Sequence, residues 1–175
     1  MSVLEIGCGK NKCESSLGEV IGLDIFDLPG VDVVHDLNKV PYPFSDNEFQ
    51  LIIANHVLEH LDNLIGVMKE LYRILKPNGL LRIIVPYFSS ASAHQDPTHK
   101  RFFTLRTFDY FTPESEYNYY SDIKFKFIIV RKTLVPYESI LNKIFINVMN
   151  KYQLFYESHF SGVVFPKEIE FILKK

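Results

Sequence analysis

The stretch that most constrains the fold is the first one, Val3-Leu4-Glu5-Ile6 running into Gly7-Cys8-Gly9-Lys10-Asn11. Apolar residues at 3, 4 and 6 in a short run predict a buried parallel strand. Gly7 and Gly9 permit a tight turn and let a ligand reach main-chain N–H groups without meeting a Cβ. Val20-Ile21-Gly22-Leu23-Asp24 reads as a second strand ending in an acid, where ribose hydroxyls can donate. Loop and acid together describe a nucleoside crevice at the carboxyl end of a parallel sheet.

The surroundings decide which nucleoside. A dinucleotide fingerprint needs G-x-G-x-x-G, and Lys12 stands where the third glycine would be. Glu5 lies two residues before Gly7 instead. This E-x-G-x-G run resembles the first motif of class I S-adenosylmethionine-dependent methyltransferases. The resemblance continues in order through Asp24, Asp36-Leu37, Pro43-Phe44-Ser45-Asp46, Asn55-His56-Val57-Leu58-Glu59-His60 and Leu75-Lys76-Pro77-Asn78-Gly79, covering residues 3–86. It is closest to compact, type 11-like members with a Gly-Cys-Gly-x-Asn-Lys loop. The resemblance implies S-adenosylmethionine as cofactor. Its expected holders are Glu5, Gly7, Cys8 and Gly9, Asp24 with Ile25, Asp36 with Leu37 at the adenine, and Asn55, His56 and His60 nearer the methionine part. The residues before the first strand are too few for the helices most of this family carry there, so a trimmed N-terminus is expected.

With 175 residues, 47% of them hydrophobic, the chain suits one domain with a real core. The expected division is a cofactor core over 1–86 and acceptor-side and C-terminal elements over 87–175. A net charge of −2 gives no electrostatic footprint for nucleic acid. Two cysteines, Cys8 and Cys13, read as reduced thiols. No signal peptide or membrane-length apolar run is seen, which predicts a cytoplasmic protein.

The expected fold is a Rossmann-like, doubly wound, mostly parallel α/β sheet of about seven strands. The interval between Gly9 and Val20 leaves room for a helix of a turn or two. Val31–Asp36 reads as a third strand and Phe49–Ala54 as a central one. Asp62 is the expected cap of a helix whose residues Leu64, Val67, Met68, Leu71, Tyr72 and Leu75 face the sheet, with Lys76–Gly79 as its stop. Leu80–Val85 is a fifth strand, Glu114–Ser121 a polar turn and Ile123–Leu134 another strand. Tyr137–Tyr152 reads as a helix inserted before the last strand, Glu168–Leu173. Its apolar stripe is Ile140, Leu141, Ile144, Phe145, Val148, Met149 and Tyr152, and Asn142, Lys143, Asn147, Asn150 and Lys151 form its polar face. Two readings stay open: the stripe packs on the sheet, or it stays exposed and pairs with a second subunit in a homodimer.

Methyl transfer from a sulfonium chiefly requires positioning and water exclusion. A hydroxyl acceptor also needs a base. His94, Asp96 and His99, in the loop after the fifth strand, are the catalytic candidates: either histidine as base, or Asp96 and His99 pinning the loop. Their spacing fits no metal template, so no metal is expected. Asn55-His56-Val57-Leu58 lacks the prolines of the Asn-Pro-Pro turn that accompanies amide and nucleobase nitrogen acceptors. The leading expectation is therefore methylation of a small hydroxylated acceptor, such as a sugar of a cell-surface glycan pathway. A non-catalytic cofactor-binding module acting through a partner protein and a nicotinamide-dependent reductase are the other classes.

Overall fold

The computed structural model describes residues 2–119, 123–138, 140–161 and 166–175. Seven strands form one sheet: β1 (Val3–Ile6), β2 (Val20–Asp24), β3 (Val33–Val34), β4 (Phe49–Asn55), β5 (Leu75–Pro86), β6 (Ile128–Val135) and β7 (Glu168–Lys174). Their spatial order is β3-β2-β1-β4-β5-β7-β6. The first five are parallel, and β7 runs antiparallel to both β5 and β6. This is the mixed, doubly wound sheet expected. The chain reverses direction across the sheet beside β1, so the carboxyl ends of β1, β2 and β4 open onto one crevice.

All four residues of β1 are buried, including Glu5. Leu4 and Ile6 join Ile52, Ala54, Leu81, Ile83 and Phe171 in the core. The helix α1 (Leu64–Ile74) crosses from β4 to β5. Its Leu64, Val67, Met68, Leu71 and Ile74 are buried, as the helical period requires. Each such side chain contributes about 1.5–3 kcal/mol of burial.

Several local expectations are corrected. Residues 7–19 form turns and bends with no helix, because Glu5 and Asp24 spend their side chains pinning that segment. The third strand is reduced to Val33–Val34 at the sheet edge. The cap of α1 is Asn63, whose side chain accepts from Gly66 N at 2.9 Å; Asp62 instead pairs with Lys100 at 2.6 Å. The α1 helix ends at Ile74 and β5 begins at once, so Lys76–Gly79 lies within that strand's span, with Asn78 at φ 62°. β6 starts at Ile128 rather than Ile123.

After the short α2 (Ala91–Gln95), the described residues hold two further α-helices, α3 (Ile140–Lys151) and α4 (Gln153–His159). The expected helix start at 137–139 includes residue 139, and the expected turn at 114–121 includes 120 and 121; these lie outside the described residues. Four residues of the stripe, Ile144, Phe145, Val148 and Tyr152, are exposed, its Met149 is partly buried against the core, and Ile146, off the stripe, is buried; the side chains of Ile140 and Leu141 lie outside the described residues. Asn150, expected on the solvent face, docks the helix. Its side chain accepts from Leu134 N at 2.7 Å and donates to Leu134 O at 2.9 Å. Gln153 donates to Lys132 O at 2.8 Å. These two amides cover backbone groups of the edge strand β6, which would otherwise invite another strand. Among the described residues no helix is long and apolar enough to cross a membrane.

Candidate active site at the carboxyl end of the sheet

Gly7 and Gly9 both have positive φ, 65° and 57°. Their surroundings differ. A Cβ on Gly7 would lie 2.6 Å from Val57 Cγ2, whereas one on Gly9 would meet nothing within 4 Å. Gly7 is therefore required by packing, and Gly9 faces open space. Gly9 N donates to Asp24 Oδ2 at 2.9 Å, and Phe26 N donates to Asp24 Oδ1 at 3.1 Å. Glu5 points back into the loop, accepting from Cys13 N at 2.7 Å. Cys8 and Cys13 are free thiols. Burial first, then the negative charges of Asp24 and Glu5, push the Cys8 thiol upward and keep it protonated. Ile25 and Phe26, just past Asp24, are exposed apolar side chains at the rim.

Asp36 accepts from Asn38 N at 2.9 Å, and Leu37 is buried beneath it. At the end of β4, Asn55 Oδ1 is buried with no hydrogen-bond partner. His56 follows at φ 49°, a conformation costly for a non-glycine residue, held in place by donation of His56 N to Ile84 O at 2.9 Å. Its ring sits between two acids: Nδ1 is 3.4 Å from Glu59 and Nε2 is 3.4 Å from Glu168. Glu168, then Glu59, raise His56 to about 9, and His56 in turn holds Glu168 at about 2.

The segment 96–101 is laid along 58–62. Lys100 N donates to Glu59 O at 2.8 Å, and Arg101 Nε donates to Leu61 O at 3.0 Å. This brings His99 beside His60, ring centroids 4.8 Å apart. Each of the three catalytic candidates makes its own hydrogen bonds. Asp96 accepts from Thr98 N and Thr98 Oγ1 at 2.8 and 2.7 Å, which holds its carboxyl below the usual range. His99 Nδ1 donates to Ala93 O at 3.0 Å. His94 Nε2 donates to Phe88 O at 2.9 Å, and its ring stacks on the exposed Phe102 at 4.7 Å. Glu59, Thr98 and Glu168 were missed as site residues. Only Glu59 carried a signal, as an acid in a mostly apolar run. A second cavity of about 1100 Å³ is lined by Asp62, Arg101, Thr107, Tyr110 and Lys132; Asp62 and Arg101 come from the two paired segments, and none of the cofactor-holding candidates lines it.

The residues present fit S-adenosylmethionine. Gly9 leaves room for close approach, Asp24 is an acid at the carboxyl end of β2, and Asn55 Oδ1 is an acceptor with no partner. Comparison with known proteins agrees. A family model described as a methyltransferase domain matches residues 1–129. Cycloartenol-C-24-methyltransferase 1 of Oryza sativa subsp. japonica is 31% identical over 123 residues, 58% of this chain and 35% of that protein. Demethylmenaquinone methyltransferase of Staphylococcus saprophyticus is 29% identical over 97 residues, 45% of this chain and 41% of that protein. The chain thus spans less than half the length of these curated relatives. Among solved structures, a SAM dependent methyltransferase from Archaeoglobus fulgidus is 22% identical, with 99% of this chain and 86% of that one covered at a TM-score of 0.66. The YcgJ protein of a Bacillus is 16% identical, with 99% and 90% covered at a TM-score of 0.59. These two share the fold. With strand order, glycine loop and matched model in agreement, the chain belongs to the methyltransferase domain family, in its class I, S-adenosylmethionine-dependent form.

Proposed function

We propose that the protein transfers the methyl group of S-adenosylmethionine to a small hydroxylated acceptor. The observation that carries this is the crevice itself: open space at Gly9, the acid at Asp24 and the unpartnered Asn55 Oδ1 converge on the carboxyl ends of β1, β2 and β4. The cofactor, when bound, supplies the electrophilic methyl and its own leaving group. Asp24 is assigned to the ribose, Ile25 and Leu37 to the adenine with Asp36, and Asn55 to the amino-acid end. Glu5 holds the loop and acts on the cofactor through it.

The acceptor is assigned to the face made by Phe102 and His94. With its Nε2 proton committed to Phe88 O, the His94 ring keeps a lone pair on Nδ1, suited to taking a hydroxyl proton. The exposed Phe102 ring offers the flat apolar platform that the carbon face of a sugar stacks on. The two curated relatives are named for cycloartenol and demethylmenaquinone, so a larger, more apolar acceptor is the competing substrate class. A second copy of the chain is assigned to the outward face of α3, where Ile144, Phe145 and Val148 are exposed.

The test is incubation with methyl-labelled S-adenosylmethionine and fractionated cell extract. Label in a water-soluble small-molecule fraction, lost in a His94→Ala protein, supports the reading. Label in the lipid fraction moves the acceptor to the apolar class. Label only in protein or RNA, or no S-adenosylhomocysteine formed, overturns it.

A further inference from the structure

We propose that Glu59, His60 and His99 form a binding site for one divalent transition-metal ion, of the kind zinc occupies, beside the cofactor crevice. One ligating atom from each residue lies within 4.8 Å of those from the other two. Glu59 is 1% exposed, and neither of its carboxylate oxygens has a hydrogen-bond partner. Its nearest cationic neighbour, His56, stands off at 3.4 Å. A buried carboxylate left in that state is costly, and an ion is the simplest way to satisfy it.

The proton inventory points the same way. The Thr98 hydroxyl spends its proton on Asp96 Oδ1 at 2.7 Å, so toward His60 Nδ1, 2.9 Å away, it can only accept. Ala93 O can only accept, so His99 Nδ1 carries a proton as well. In that tautomer each imidazole has its lone pair on Nε2. One nitrogen of each ring and one oxygen of a buried carboxylate that accepts no hydrogen bond thus lie within 4.8 Å of one another. Histidine ligands are held in this way, with the far nitrogen donating to a carbonyl or to a hydrogen-bonded oxygen. Two nitrogens and one oxygen suit zinc, or ferrous or manganous ion, better than calcium or magnesium. Bonds of about 2.0–2.2 Å require the three atoms to close inward on the ion.

The pairing of Lys100 N with Glu59 O ties the two halves of the site together across a long stretch of chain. A three-ligand site leaves positions open. On the acceptor reading above, an open position would hold the acceptor's hydroxyl oxygen and ease loss of its proton. Metal binding itself does not depend on that reading, because it is measured without cofactor or acceptor.

The experiment strips the purified chain with a chelator and titrates it with Zn²⁺ by calorimetry and with Co²⁺ by visible absorption. The expected result is one ion per chain, a Co²⁺ d–d band without a sulfur charge-transfer band, and a rise in melting temperature on adding Zn²⁺. His99→Gln should weaken binding at least ~10-fold, and Thr98→Val, which removes the His60 partner, should weaken it by about as much. His99 is only half-buried, so its variant is the informative one if Glu59→Gln fails to fold; metal-free melting and far-ultraviolet dichroism report folding. Saturable binding that His99→Gln leaves unchanged, a charge-transfer band placing the ion on Cys8 or Cys13, or no saturable binding at all would overturn the proposal.

Discussion

Gly7 and Gly9 look equivalent in sequence and have nearly the same φ, yet they should fail in different ways when replaced by alanine. Both substitutions place a Cβ in the left-handed region, which costs about 1–2 kcal/mol. At Gly7 the new atom also meets Val57 Cγ2 at 2.6 Å and Val57 Cβ at 2.8 Å, contacts that force a shift. Overpacking of this kind adds about 1–3 kcal/mol. Gly7→Ala should therefore cost ~2–5 kcal/mol and Gly9→Ala only ~1–2. For a chain of this size that is a fall in melting temperature of about 10 °C against about 4 °C. Val57→Ala removes both γ-methyls, so the double variant with Gly7→Ala should be less destabilised than the sum by about 1 kcal/mol. Affinity should divide the other way. The methyl added at Gly9 enters open space assigned to the cofactor, so S-adenosylhomocysteine should bind at least ~10-fold more weakly, a loss of about 1.4 kcal/mol. Urea melts and calorimetry on the same proteins provide both numbers. Equal destabilisation by the two alanines, or a Gly9→Ala protein that binds the cofactor product like wild type, would refute the reasoning.

Other outcomes are expected. Asp24→Asn should weaken S-adenosylhomocysteine binding by ~10-fold or more in calorimetry, since a hydrogen bond to a charged group is worth about 1.5–3 kcal/mol. S-adenosylhomocysteine at 100 times its Kd should stabilise the protein by about 2.7 kcal/mol while NAD leaves the melt unchanged. Burial pushes the Glu70 carboxyl up, but donation from Arg73 and Tyr42 N outweighs it, and the group titrates below its reference value of 4.5. A depressed carboxyl contributes stability that is present above that reference and lost as pH falls through the folded value, so Glu70→Gln should flatten the acid limb of a stability–pH curve measured by urea melts. Ile144→Asp with Val148→Asp should change stability by less than ~0.5 kcal/mol, because both side chains are exposed; on the proposal that α3 joins two copies, sedimentation should give a dimer for the wild type and a monomer for this variant.

The sheet was readable from local pattern because its central strands are short, apolar and bounded by turns. Val3–Ile6 and the run Ile52, Ile53 and Ala54 are buried on both faces and announce themselves without alternation, whereas Leu80–Val85 is apolar apart from Arg82 but buries alternate residues, Leu81, Ile83 and Val85. Helix α3 shows where pattern misleads. Periodicity located its apolar stripe, but the helix is hydrogen-bonded to β6 by Asn150, and its fully buried apolar residue, Ile146, lies off the stripe, beside the partly buried Met149 that lies on it. A helix covering a strand edge needs amide groups more than hydrocarbon, and the period does not reveal that. Helix α4 was not foreseen at all. The cofactor loop was legible because its chemistry is local. The grouping of His99 with Glu59 and His60 was not, because it depends on segment 96–101 lying along 58–62, a pairing between distant stretches.

The position of β7 has a consequence for how the chain must assemble. β6 has one strand neighbour, β7, and β7 lies between it and β5. The chain leaves β5 at Pro86 and does not return to its edge until Glu168. The five parallel strands can pair as they emerge, but β6 has no strand to join until residues 168–174 arrive. Until then the edge of β5 is an unpaired ladder of Leu81, Ile83 and Val85 backbone. Closing so long a loop sets a slow final step, and the waiting edge is the natural point for misassociation. Refolding should therefore show an early phase that forms the cofactor half and a later, concentration-sensitive phase in which β7 and β6 arrive together.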